Sequence, residues 1–195
     1  MEDIYMPLPD QGARPEFQYY CLKIFIESND PKLHELYKAA IIKQQRLVWE
    51  AQTAWRTGQN VVFFDAGFDL FIPNGIHAVM TTTTMTIDHC VKLAMDLKGF
   101  PVGYTLIERS STGKKTPWSL ANKIGLFDSA YRGGVIGQFD RADVRNLTVK
   151  PLAYTRLLQV CAPDITWPIF PVLVNSVSEL GITKRGEGSF GSTGV

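Results

Sequence analysis

Beyond residue 60 the chain is a series of short apolar runs separated by turn-forming clusters. The runs fall at 61–64 (VVFF), 68–73 (FDLFIP), 77–85 (HAVMTTTTM), 89–97 (HCVKLAMDL), 103–108 (GYTLIE), 124–127 (IGLF), 135–139 (VIGQF), 155–162 (TRLLQVCA) and 169–177 (IFPVLVNSV). At four to nine residues each, with Pro and Gly at the joints, they read as the strands of an all-β domain. Such strands predict a closed or double-layered barrel of jelly-roll type. Residues 124–139 look like a β-hairpin, two apolar strands around the polar corner DSAYRGG, with glycines where positive φ is needed. Asp128 closes the first of these strands and Tyr131 lies three residues on, so a carboxylate and a flat ring can flank one small cavity.

The first sixty residues follow a different pattern. Residues 1–17 are rich in Pro, Gly and charge and read as a flexible tail. Residues 18–27 (QYYCLKIFIE) are dense in β-branched and aromatic side chains and form a strand. Asn29, Asp30 and Pro31 are a helix-start signal, and Leu33, Leu36, Tyr37, Ala40, Ile41, Leu47, Val48, Ala51 and Trp55 recur at three- and four-residue steps until Gly58. The expected helix spans 31–57. One apolar stripe suits an amphipathic helix packed on the outside of the barrel, and a docking helix for another protein is the rival reading.

Composition narrows the class. With 195 residues and 45% hydrophobic content, one domain with a sizeable core is expected over 18–183. A formal net charge of +1, with no basic run, gives no sign of a nucleic-acid surface. No apolar stretch has the length of a membrane span, and no basic-then-apolar leader opens the chain, so an intracellular protein, cytoplasmic or nuclear, is expected. Cys21, Cys90 and Cys161 are odd in number and far apart, which suits reduced structural thiols.

Five short motifs follow one another along the chain: DAGFDL at 65–70, RSS at 109–111, ANKIGLFDSAYRGG at 121–134, RLLQV at 156–160 and RGEGSFGSTG at 185–194. In this order they resemble the five motifs of trimeric dUTP diphosphatases (dUTPases), and they cover residues 61–195. The helix over 31–57 is longer than the connection expected there in that family. The resemblance implies a homotrimeric barrel with shared active sites and hydrolysis of dUTP to dUMP and pyrophosphate, assisted by magnesium.

Roles come with the resemblance. Asn122, Gly125, Leu126 and Ile136 would surround the uracil, largely through backbone groups, with Tyr131 beneath the deoxyribose. Asp128 would be the general base for a water attacking the α-phosphorus. Arg109 with Ser110 and Ser111 would cradle phosphate, which suits the planar donor fork of a guanidinium. Gln159 would reach the triphosphate and its water shell, or else bond a neighbouring strand, and Arg156 would stabilise the trimer or the strand entrance. Asp69 would hold magnesium through water, or else pair with a nearby arginine. Residues 184–195 would be an arm closing over the site from another subunit, with Arg185 on the γ-phosphate, Phe190 on the uracil, and Gly191, Ser192 and Thr193 at the phosphates.

Departures from the family pattern are local. Glu108 stands where proline is usual, Ser111 where glycine is common, and Ala130 where a second acid is often found. Gly186 and Gly191 have phosphate-loop spacing, but Ser192 stands where that motif requires lysine, so a P-loop is excluded. Two other readings stay open. One is dCTP deamination on the same fold, against which Gln138 stands where the catalytic glutamate would align. The other is a non-catalytic nucleotide-binding relative.

Overall fold

The structure, a computed structural model, describes residues 15–59, 63–75, 78–81, 83–141, 152–186 and 188. In chain order its elements are β1 (Tyr20–Ile26), α1 (Pro31–Arg56), β2 (Gly67–Phe71), β3 (Ala78–Met80), β4 (Thr84–Leu97), β5 (Phe100–Val102), β6 (Tyr104–Glu108), α2 (Thr112–Lys115), β7 (Trp118–Leu120), β8 (Ile124–Phe127), β9 (Gly134–Arg141), β10 (Arg156–Cys161) and β11 (Ile169–Leu173), closed by a 3-10 turn at Val177–Leu180. They form two sheets. The larger runs β11-β1-β4-β9-β7, with β3 and β5 also paired to β4, and the smaller runs β2-β10-β6-β8. All pairings are antiparallel except β1 with β11.

The core lies between the sheets. Strand alternation sends Tyr20, Leu22, Ile24 and Ile26 of β1 inward, and one continuous cluster joins Leu93, Met95 and Phe139 of the larger sheet to Phe68, Leu70, Leu106, Leu158 and Val160 of the smaller. His89 of β4 reaches across as well, its Nδ1 3.0 Å from the Phe71 carbonyl of β2.

Helix α1 covers one side of this sandwich. Asp30 caps it by accepting from the Lys32 and Leu33 amides, and Pro31 occupies the first turn, where its missing N–H costs nothing. Leu33, Tyr37, Ile41, Val48 and Ala51 form the buried stripe. Tyr37 accepts a hydrogen bond from the Phe71 amide at 3.1 Å, and Gln45 donates to the Pro171 carbonyl at 2.9 Å, so the helix is tied to β2 and to β11. Gly58, with φ of 76°, ends it as expected. Among the described residues no helix is long and apolar enough to cross a membrane.

Several expectations are corrected. The segments 124–127 and 135–139 are not a paired hairpin: β8 pairs with β6 in one sheet, and β9 pairs with β4 and β7 in the other. Two apolar strands around a tight corner give the same sequence pattern whether the corner closes a hairpin or carries the chain between sheets. The runs at 77–85 and 89–97 are redistributed into β3 and the single long β4, because the Thr81 hydroxyl accepts from the Thr84 amide and builds the turn inside the threonine run. β4 survives the polar Asp88 to Cys90 step through an irregularity in its pairing with β9, with Cys90 at φ of 51°. Phe63 and Phe64 of the 61–64 run lie in no strand, and the other two residues are outside the described ones. β5, β7 and α2 were not legible as separate elements.

Candidate active site

The corner between β8 and β9 is where the chain leaves one sheet for the other, and a cavity of about 230 Å³ opens there. β8 is the edge strand of its sheet, so the side of its backbone away from β6 lies outside the ladder and keeps its hydrogen-bonding capacity for a guest. Asn122, Gly125, Leu126, Asp128, Tyr131, Ile136 and Arg185, all expected at the site, line this cavity. Leu106, Leu120 and Gln138 line it too. Leu126 is 80% exposed and Ile136 42%, an apolar mouth that a planar ring would cover.

Tyr131 is held flat by its surroundings. Its amide donates to the Asp128 carbonyl at 3.0 Å, its hydroxyl donates to the Gly134 carbonyl at 3.1 Å, and its ring meets Phe127 edge-on at 5.7 Å. A Cβ at Gly133 would lie 2.6 Å from the tyrosine Cζ, so only glycine lets the ring fold back over the corner. The Asp128 carboxylate, mostly exposed, accepts from Nη1 of Arg185, whose guanidinium also lies 5.8 Å from the Tyr131 ring centroid.

The root of the C-terminal segment is fastened to the same corner. Arg132 is buried and donates through Nε to the Leu180 carbonyl and through Nη1 to the Ser129 carbonyl, while its amide donates to Gly186. Desolvation holds its guanidinium below the usual arginine range. Thr183 adds a hydroxyl bond to the Ala130 carbonyl at 2.6 Å. Over the described part of the C-terminal segment, Thr183 and Gly186 bond to their own chain's corner, and Arg185 sits on Asp128. Phe190, Gly191, Ser192 and Thr193 lie outside the described residues.

A second, larger cleft of about 780 Å³ gathers the remaining motifs. Asp69 of β2 is its hub: Arg109 Nε donates to one carboxylate oxygen at 2.6 Å and Arg156 Nη1 to the other at 3.0 Å. Arg109 also donates towards the Arg156 carbonyl at 3.3 Å and the Ser111 hydroxyl at 3.4 Å. Ser110 lines the cleft, and Ser111 stands at the start of α2. Gln159, opposite Asp69 across the β2–β10 pair, donates to the Glu108 carbonyl at 3.2 Å, and a Cβ at Gly67 would fall 2.6 Å from its Oε1. Arg156, read from sequence as a trimer or strand-entrance residue, is a member of this cleft.

Among the described residues no group of three or more His, Cys, Asp or Glu could hold a metal unaided. Both Asp69 oxygens accept from guanidiniums, which leaves the carboxylate lone-pair sites for a hydrogen bond from a water but no open cradle for a cation of its own. The two clefts have no lining residue in common, so one chain presents the ring-and-carboxylate pocket and the arginine cleft as separate depressions.

Fold and clefts together define a class: a two-sheet β protein with an apolar pocket at a sheet-to-sheet corner and a second cleft lined by paired arginines. No family model matches the chain. The deoxyuridine 5'-triphosphate nucleotidohydrolase of Albidiferax ferrireducens is 34% identical over 103 residues, 52% of this chain and 64% of that protein. That of Neisseria meningitidis serogroup A is 36% identical over 90 residues (46% and 56%), and that of Janthinobacterium sp. is 32% identical over 108 residues (54% and 68%). The chain belongs to the dUTPase family. Its match spans between 56% and 68% of the length of these three relatives.

Proposed function

We propose that the protein hydrolyses dUTP to dUMP and pyrophosphate, which would limit uracil entry into DNA and supply dUMP. The observation that carries this reading is the corner pocket, where a strand edge, a flattened tyrosine and a carboxylate converge on a space of about 230 Å³. Uracil would lie against Gly125 and Leu126 of β8, with Asn122 and Ile136 closing its sides. A cytosine edge would mismatch those backbone donors and acceptors and leave them unpaired. Tyr131 beneath the sugar would leave no room for a 2'-hydroxyl, and the narrow mouth none for the thymine methyl.

Asp128 would take a proton from the water that attacks the α-phosphorus, with pyrophosphate leaving in line. For that, Arg185 must leave Asp128, and the triphosphate is the anion that would draw it away. Arg109, Ser110, Ser111 and Gln159 would hold the phosphates, and Asp69 would meet the waters of the accompanying magnesium. The metal supplies charge neutralisation on the triphosphate when bound. Gln138 on the pocket wall is an amide with no acid-base capacity, which speaks against dCTP deamination.

Because the two half-sites are separate within one chain, we assign the complete site to a homotrimer in which one copy's Asp128 pocket meets another copy's Arg109 cleft. The test is to co-express Asp128→Asn and Arg109→Ala. Each variant alone should release almost no pyrophosphate from dUTP with magnesium, and the mixed assembly should recover a sizeable fraction of the wild-type rate. No recovery would contradict the shared site, and full activity of either variant alone would contradict the residue roles.

A further inference from the structure

The wall of the arginine cleft that faces β2 is not made by any of the five motifs. It is made by α1, whose Leu36, Ala39, Ala40, Lys43 and Gln44 line the cleft together with Asp69 and Arg109. Leu36, Ala40 and Lys43 follow one another at four- and three-residue steps and so share a helical face, and the two alanines leave the wall low. Lys43 is the cation on that wall. Its Nζ lies 4.0 Å from an Asp65 oxygen, both side chains are largely exposed, and a pair this long and solvated holds its partners weakly.

The existing cations of the cleft are already committed. Arg109 and Arg156 share Asp69 between them, so a triphosphate entering here meets two guanidiniums whose charge is partly offset. The wall that carries Lys43 is anchored to the rest of the fold: Gln44 next to it is buried and donates to the Asp65 carbonyl at 3.4 Å, and Asp30 at the helix start accepts from the Tyr154 hydroxyl at 2.8 Å. A mobile ammonium on a fixed wall can exchange its loose carboxylate contact for a phosphate oxygen at little cost in ordering.

We propose that Lys43 is a phosphate-binding residue, taking the outer phosphates of the nucleoside triphosphate, and that α1 thereby forms part of the substrate site. The inference rests on the reading of this cleft as the triphosphate site, and it is tested by comparing ligands that do and do not carry outer phosphates. The probes are the non-hydrolysable deoxyuridine 5'-(α,β-imido)triphosphate and dUMP, titrated by calorimetry in the full-length protein with magnesium. In Lys43→Met the imido-triphosphate should bind roughly three- to tenfold more weakly while dUMP binding stays unchanged. Lys43→Arg should retain most of the affinity, and KM for dUTP should follow the same order with kcat unchanged. Lys38→Met removes the same charge from an exposed position on the same helix outside the cleft and should alter neither ligand. Equal imido-triphosphate affinity in Lys43→Met and wild type would overturn the proposal. So would an equal loss in Lys38→Met, or a matching loss for dUMP. If the wild type binds the imido-triphosphate but hydrolyses no dUTP, the catalytic reading fails and the Lys43 comparison still decides this one.

Discussion

His89 has no exposed surface, and its chemistry sets how the fold meets acid. Its Nδ1 faces the Phe71 carbonyl at 3.0 Å, so that nitrogen carries the proton and donates, while Nε2 has no hydrogen-bond partner among the described residues. Burial lowers the pKa of the ring, opposed in part by the Phe71 bond and the charge of Asp88. Above about pH 6.5 the ring is neutral both folded and unfolded. Below it the unfolded chain binds a proton that the folded chain refuses, so stability is lost as pH falls, by at most about 1.4 kcal/mol per unit from this group. Thermal melts between pH 7.5 and 5.5 should show a falling Tm in the wild type and a flatter profile in His89→Gln, which cannot titrate; an equally steep profile in the variant would rule the ring out as the cause. Single residues differ in how plainly the sequence announces them. Asp128 and Tyr131 are legible because the motif around them resembles a family pattern; an aspartate in a turn would by itself read as a turn cap. Arg132 and Arg156 are not, because Arg132 is held by backbone carbonyls, among them those of Ser129 and Leu180, and Arg156 by a carboxylate far away in sequence on the paired strand β2.

At the scale of elements, α1 was legible from end to end: a capping Asp, a first-turn Pro, a periodic stripe and a terminal Gly agree on one answer. What the stripe could not reveal is the contact that fixes the helix. Tyr37 is fully buried in the core and accepts the Phe71 amide at 3.1 Å, so it supplies the partner for a backbone donor at the end of β2. Tyr37→Phe keeps the ring and removes that acceptor, which should lower unfolding free energy by about 1–3 kcal/mol in urea titrations. A variant as stable as wild type would mean that the amide finds another acceptor and that this bond adds nothing to the hold on the helix. The β8–β9 corner is the opposite case. Pattern and turn residues identified both strands, yet pairing depends on which neighbours compete for each edge. β6 takes β8, and β4 with β7 takes β9, so the strands part and the pocket opens between them.

Across the whole molecule, the all-β class and two-layer packing follow from the spacing of apolar runs, and the family follows from motifs whose order the fold preserves. Their division into two depressions does not follow, since residues adjacent in a motif list need not share a cavity. Asp69, Gln159 and Arg109 share one cleft because β2, β10 and β6 are neighbours, whereas β8 carries Asp128 to the far edge of the same sheet and Arg185 reaches it there from the C-terminal segment. The proposed activity therefore depends on the corner pocket choosing its nucleotide. Its most direct test is pyrophosphate release by the purified protein with magnesium and, in separate reactions, dUTP, dTTP, dCTP and UTP. Release from dUTP alone, with dUMP as the co-product, is the predicted result; comparable release from dTTP or UTP, or none from dUTP, would contradict it.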